Sequence, residues 1–365
     1  MSAPGKSTQS PELMKGNDAL AEAAIRAGCR FFAGYPITPQ TEVLEYLCKR
    51  LPEVGGTFVQ TESELAGVNM IFGAAAAGAR VMTSSSGPGF SLLQEGISYL
   101  SSTELPAVIL DVMRNGIGLG NITLGQGDYW QAVKGGGHGG YRLPVFAPAS
   151  VQEGADIMLR AFETAERHRT PVLVLSDGAI GQMAEAVTLP DYNEHDIDKF
   201  DWSLKGKPAR SASGHKMTDR NYYDFAFDQY VPHLRERYQA MWEQEQLWEE
   251  VNCADAEVIL VSFGISSRVC KAALRLARES GRKVGLIRPI SLWPFPVKAM
   301  EKYNGKIRGY LAVEMNFTGQ MVEDVHLYAG NTPVYAYPTG RVVADEIKVM
   351  EMIEDLYAGN LKEVG

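Results

Sequence analysis

The chain has 365 residues, 45% of them aliphatic, aromatic or cysteine and 22% charged, the balance of a soluble globular protein with room for two or three domains. Lys and Arg number 35 against 44 Asp and Glu, a formal charge of −9, so no general attraction to nucleic acid or to an anionic membrane is expected. Cys29, Cys48, Cys253 and Cys270 form no CxxC pair and no spacing suited to zinc or an iron–sulfur cluster, which points to a reducing cytoplasm. The small, polar start MSAPGKSTQSPELM, and the lack of any apolar run near the roughly 18 residues of a membrane span, direct neither export nor anchoring.

After the first dozen residues, β-prone runs alternate with helical patterns: RFFAG (30–34), TFVQ (57–60), RVMTS (80–84), AVILDVM (107–113), PVFA (144–147) and PVLVL (171–175). Between them lie residues at helical spacing, such as Leu44, Leu47 and Leu51, or Ile157, Phe162 and Ala165. Strands that are nearly continuous in apolar residues, alternating with helices, predict an α/β fold with a doubly wound parallel sheet covered on both faces, here over residues 12–190. Residues 191–250 read as a polar connector leading into a charged surface helix, DQYVPHLRERYQAMWEQEQLWEEVN. A smaller α/β domain is expected over 251–365, with strands in EVILVSFG (257–264), KVGLIRPISLWP (283–294), GYLAVEMN (309–316) and PVYAY (333–337), and a terminal helix from about 344.

In an open parallel sheet, ligands bind beyond the carboxyl ends of the strands. That rule selects four segments of the first domain. In AGYPITPQTEVLEYL, Thr38 before Pro39 suits an N-cap followed by the first helical position, and a helix start at a strand end also attracts a carboxylate or phosphate. In QTESELAGVNMIFG, Thr61 and Glu64 have capping-box spacing, so Glu64 can fold back on a backbone amide. Yet Glu64 shares a helical stripe with Val68, Ile71 and Ala75, which would bury a carboxylate of use in proton transfer.

The third segment, TSSSGPGFSLL, is a glycine turn at a strand end whose spacing fits no nucleotide fingerprint; a plain turn at Gly87 and Gly89 and an anion-holding loop both remain open. In the fourth, Arg114 directly follows AVILDVM, where a guanidinium can hold a carboxylate bidentately, and a long glycine-rich loop (115–140) follows, with His138 inside GGGHGG. The stretch SDGAIGQ lacks the glycine and the spacing of a GDG…Asn motif that would hold a magnesium diphosphate.

Together the stretches KGNDALAEAAIRAGCRFFAGYPITPQTE, ESELAGVNMIFGAAAAGARVMTSSSGPGFSLLQEGISYL, ELPAVILDVMR, QGDYWQAVKGGGHGGYR, LVLSDG, RPISLWPFP and AVEMNFTGQMVEDV closely resemble the alpha subunits of the 2-oxoacid:ferredoxin oxidoreductases. Within that family the 3-methyl-2-oxobutanoate (branched-chain) type is the nearest, with the 2-oxoglutarate type next. The resemblance implies a pyrimidine-binding domain for thiamine diphosphate followed by a transketolase C-terminal-like domain. It also implies a beta subunit that carries Mg2+, the diphosphate site and a [4Fe-4S] cluster, with a gamma subunit and a ferredoxin-like delta subunit completing the assembly. The implied reaction is oxidative decarboxylation of a 2-oxoacid to acyl-CoA, with electrons passed singly to ferredoxin.

Carried over residue by residue, Glu64 is implied to be catalytic, hydrogen-bonding the aminopyrimidine so that the cofactor can deprotonate itself. Thr38 and Arg114 are implied to bind substrate, and Tyr35, Pro36, Ser86 and Gly87 to line the cofactor site. Asn115 and Ile117 replace glycine and proline that often follow that arginine, which bears on substrate size, and Phe317-Thr318 alters a turn expected to lie away from chemistry. The competing readings are a 2-oxoglutarate or aromatic 2-oxoacid enzyme of the same family, a non-catalytic scaffold subunit in which Thr61 and Glu64 only cap a helix, and a free-standing phosphate or nucleotide binder built on SSSGPG.

Overall fold

A computed structural model describes residues 10–193, 196, 200, 203–204 and 227–364, so most of the expected connector lies outside the described residues. The strands are β1 (Glu12–Lys15), β2 (Phe31–Gly34), β3 (Thr57–Gln60), β4 (Val81–Ser85), β5 (Ala107–Met113), β6 (Val145–Phe146), β7 (Pro171–Asp177) and β8 (Ala184–Val187), then β9 (Trp248–Val251), β10 (Val258–Val261), β11 (Val284–Pro289), β12 (Ser291–Trp293), β13 (Gly309–Glu314) and β14 (Val334–Pro338). The first seven helices are α1 (Gly16–Arg26), α2 (Thr41–Glu53), α3 (Glu64–Ala76), α4 (Pro88–Ser102), α5 (Tyr129–Val133), α6 (Val151–His168) and α7 (Gly178–Gln182).

A seven-stranded sheet runs β12-β6-β7-β5-β4-β2-β3, parallel throughout except where β12 pairs antiparallel with β6. Its strands are apolar on both sides because both faces are covered. Phe32, Met82, Val108, Leu110, Val172 and Val174 pack with α1, α2 and α6 in one core, and Ala33, Val81, Ile109, Met113, Leu173 and Leu175 face α3 and α4 in another. That second core continues without a break into Val261, Phe263, Ile287, Leu292 and Trp293, so the two sheets share buried apolar surface. β1 and β8 pair antiparallel in a two-stranded sheet, and a five-stranded sheet runs β14-β13-β10-β11-β9, its far face covered by the helices Gly264–Glu279 and Glu346–Ala358.

The run 283–294 is not one strand: it turns at Ile290, β11 joining the smaller sheet and β12 the edge of the larger. The charged helix also ends sooner than its spacing suggests, at Gln244, where Glu245 is buried among Arg160, Arg167 and His168 of α6, and WEEV continues as β9. Among the described residues no helix is long and apolar enough to cross a membrane.

The chain leaves β2 for β3 on one side and returns to β4 on the other, so the crevice at the carboxyl ends of β2 and β4 is the sheet's topological switch point. β5, bearing Arg114 at its end, is the next strand along.

Candidate functional site

The stretch after β2 is held by its side chains rather than by helical bonds. Gln40 is wholly buried; its amide donates to the Tyr35 carbonyl at 3.1 Å and its oxygen accepts from Ser84 Oγ at 2.7 Å. The Pro39 carbonyl accepts from Asn17 at 2.7 Å and from Gln182 at 3.1 Å. The carbonyl that receives the first helical N–H is accordingly that of Gln40, bonded by Val43, and α2 begins at Thr41 with Gln40 in the cap position. This corrects the expected cap at Thr38: its side chain is exposed, its carbonyl accepts from Arg114 Nη1 at 3.0 Å, and the Thr38–Pro39 peptide is cis. Tyr35 is 39% exposed at the mouth of the crevice, with Pro36 beside it.

The capping-box alternative for Glu64 does not hold. Ser63 caps α3, accepting from the Ala66 amide at 3.3 Å, while the Thr61 amide is committed to the Gly34 carbonyl at 3.0 Å. Glu64 is therefore the first helical residue, and it shares its buried stripe with Val68, Ile71 and Ala75. Its carboxylate, 5% exposed as a residue, accepts from Ser85 Oγ at 3.4 Å at the end of β4. What makes room for it is Gly89: a Cβ there would lie 2.2 Å from Glu64 Oε1 and 2.1 Å from Ser85 Oγ. The GPG turn thus has a reason beyond turning, because one of its glycines leaves the space that the buried carboxylate occupies.

Gly87 adopts φ +49°, a backbone region that favours glycine, and the Arg114 side chain passes 3.1 Å from where its Cβ would stand. Arg114, 8% exposed, is tied to backbone on two sides, through Nη1 to Thr38 and through Nη2 to the Leu119 carbonyl at 2.7 Å. Its Nε and the hydroxyl of Ser86 are buried without a partner. Buried polar atoms are ordinarily satisfied, so two such orphans beside an inward carboxylate mark a surface shaped for a ligand. Thr38, Glu64, Ser86, Gly87 and Arg114 are all brought to this one edge.

Two acids that sequence reasoning passed over lie underneath. Asp111 interrupts the apolar run of β5 and is wholly buried, and Asp128, 7% exposed, precedes α5. A charged residue inside AVILDVM was the available signal.

The loop leaving Arg114 is anchored by the second sheet. Gln126, wholly buried, donates to the Phe263 carbonyl at 3.0 Å and to Asp177 Oδ2 at 3.3 Å, and accepts from Ser266 Oγ and the Met315 amide, both at 2.9 Å. Asn115 donates to the Gly340 carbonyl at 3.1 Å and Gln320 to that of Gly127 at 2.9 Å. The turn carrying Phe317-Thr318, expected to lie away from chemistry, is therefore part of the clasp on the site's own loop. The tip of the loop stays outside, with Ile117, Leu119 and Ile122 at 94%, 81% and 67% exposure. His138 is not brought to the site: its amide bonds Ser98 Oγ at 2.9 Å, ten residues into α4, about 15 Å along the helix from its start.

Residues 22–252 match the thiamine diphosphate-binding family of pyruvate flavodoxin/ferredoxin oxidoreductases, and 256–351 match core domain II of pyruvate:ferredoxin oxidoreductase. The chain is 48% identical to the ketoisovalerate oxidoreductase subunit VorB of Methanothermobacter marburgensis, over 87% of this chain and 90% of that one. It is 38% identical to the 2-oxoglutarate synthase subunit KorA of Methanocaldococcus jannaschii, over 86% and 90%. Its fold superposes with a TM-score of 0.84, at 25% identity, on the 2-oxoglutarate:ferredoxin oxidoreductase of Magnetococcus marinus, a structure with 2-oxoglutarate, coenzyme A and succinyl-CoA bound; the match covers 95% of this chain and 65% of that longer one.

Proposed function

The chain belongs to the 2-oxoacid:ferredoxin oxidoreductases as an alpha-type subunit acting with partner subunits, and on that premise we propose that it supplies the pyrimidine half of a thiamine diphosphate site for branched-chain 2-oxoacids. The observation that carries the site assignment is the buried Glu64 carboxylate set between Ser85 and Gly89, at the strand-end edge that also holds Arg114 and the unpartnered Ser86 hydroxyl. The overall reaction is R–CO–COO⁻ + CoA–SH + two oxidised ferredoxins → R–CO–S–CoA + CO2 + two reduced ferredoxins + H⁺.

Thiamine diphosphate fits what the crevice presents. It would meet a carboxylate able to hydrogen-bond a ring nitrogen, the unpartnered Ser86 hydroxyl, and the neighbouring Tyr35, Pro36 and Gly87. When bound, the cofactor supplies a nucleophilic carbon and a sink for the electron pair left by decarboxylation. Glu64 holds the proton relationship at the ring nitrogen, and its burial keeps water from competing for that bond. Arg114, fixed by the Thr38 and Leu119 carbonyls, presents its remaining N–H groups to the substrate carboxylate. Thr38, whose hydroxyl is exposed at the mouth, orients the keto acid against that arginine.

The partners in this reading are a beta subunit with the Mg2+ diphosphate site and a [4Fe-4S] cluster, a gamma subunit and a ferredoxin-like delta subunit, assembled in the cytoplasm. The branched-chain preference rests on the higher identity to the ketoisovalerate subunit, 48% against 38%. The test is co-expression with the partner subunits and a rate comparison on branched-chain, dicarboxylic and aromatic 2-oxoacids, following coenzyme A-dependent reduction of a viologen dye. Selective turnover of 3-methyl-2-oxobutanoate supports the reading, equal rates across the panel remove the substrate preference, and no turnover on any of them removes the function. In the same assembly Glu64→Gln abolishes turnover while leaving the complex intact; near-normal rates would sink its role.

A further inference from the structure

Asp111 and Asp128 have no part in the scheme above, and their setting is unusual. Asp111 lies in register beside Ser85, the residue whose hydroxyl bonds Glu64, and beside Leu175 on its other side. Neither of its oxygens accepts from any N–H or O–H group, and Asp128 Oδ2 is likewise buried without a donor. Asp128 is served differently: its Oδ1 accepts from Gln131 at 2.8 Å. Of the groups around Asp111, the Asp128 carboxyl acts on it most strongly. A hydrogen bond between two carboxyls requires a proton, since two carboxylates have only acceptors to offer.

We propose that Asp111 and Asp128 share one proton beneath the Arg114 pocket, and that this keeps the pocket receptive to the carboxylate of a 2-oxoacid; the proposal rests on the function assigned above. Asp128, with Gln131 as a donor, is the acceptor, and Asp111, with none, carries the proton. Burial pushes the Asp111 carboxyl well up and the neighbouring Asp128 charge reinforces this, with Arg114 acting in the opposite sense. The charged groups facing the pair are Arg114 from β5 and, across Ser85, Glu64 from α3; on the β7 side Leu175 offers none. With one proton in place, Arg114 and Asp128 cancel. Without it, Asp111 adds a negative charge beside the site of an incoming anion, and the Asp128 carboxylate is pushed away from its neighbour. Asp111 is thus a positioning residue that never touches substrate.

Infrared spectroscopy of the assembled complex at neutral pH is expected to show the carbonyl stretch of a buried protonated carboxylic acid, and Asp111→Asn is expected to remove it. Absence of the band from the wild-type complex overturns the proposal without any variant, as does its persistence in Asp111→Asn. The kinetic test is KM for the 2-oxoacid against pH. The wild-type value is expected to rise at alkaline pH by about tenfold, the size set by one charge several ångströms from a bound anion. Asp111→Asn, which mimics the protonated acid permanently, is expected to stay flat, with kcat little changed in both. Parallel pH profiles for the two proteins overturn the proposal. A complex that oxidises no 2-oxoacid fails the assigned function instead, and the infrared band still reports on the pair.

Discussion

The carboxyl ends of the two sheets are built to opposite specifications. At the larger sheet, Ser86 Oγ, Arg114 Nε and the Asp111 oxygens are buried without an ordinary partner. At the smaller one the equivalent edge is saturated: Glu314 at the end of β13 is 1% exposed, and it accepts from Asn316 at 2.5 Å, from the amides of Gln320 and Met321 at 2.9 Å each, and from that of Val322 at 3.0 Å. No unpartnered buried side-chain atom is found among the described residues beyond 237. Both edges are α/β strand ends of the kind that bind ligands, but only one leaves its polar groups waiting. The smaller sheet spends its polar groups on holding the turn that clasps Gln126, and with it the loop behind Arg114.

This contrast is open to direct attack. Glu314→Ala strips an acceptor from three backbone amides and an asparagine, and the melting temperature of the complex should fall by the equivalent of about 3–5 kcal/mol; an unchanged Tm would mean that the saturated edge is not structural. Gly89→Ala should do the reverse, filling the space beside Glu64 and lowering turnover on the order of 100-fold, with a smaller loss of stability. Steady-state kinetics and calorimetry on the same preparation separate the two, and a Gly89→Ala complex with a lowered melting temperature but unchanged turnover would erase the distinction. Arg114→Lys keeps the charge but loses the fork, so KM for the 2-oxoacid should rise about 10- to 30-fold with Tm nearly constant. His138→Ala, on the exposed loop over α4, should leave kcat, KM and stability unchanged within about 0.5 kcal/mol; a large loss of activity would place chemistry outside the crevice.

Much of this was legible in the chain itself. AVILDVM is a strand at the residues its composition marks, because a strand buried on both faces is apolar at nearly every position and so announces its own limits. The stripe through Glu64, Val68, Ile71 and Ala75 identified a buried carboxylate, since helical periodicity is a local property. Local pattern failed where distant groups compete for the same backbone. Thr38 looks like a cap, but Asn17 and Gln182 take the Pro39 carbonyl and move the helix start to Thr41. Thr61 and Glu64 look like a capping box, but Gly34 takes the Thr61 amide.

The sequence by itself determined the alternating apolar runs, the glycines that must lack a side chain, and the acids and arginine placed at strand ends, because these depend on residue type and on spacing along a few turns or strands. Only the tertiary structure decided which strands lie side by side, that β12 leaves its neighbours to edge the larger sheet, and that Gln126 is seated in the smaller one. Those outcomes turn on contacts between residues from about two dozen to well over a hundred positions apart, whose burial and hydrogen bonds no local window contains.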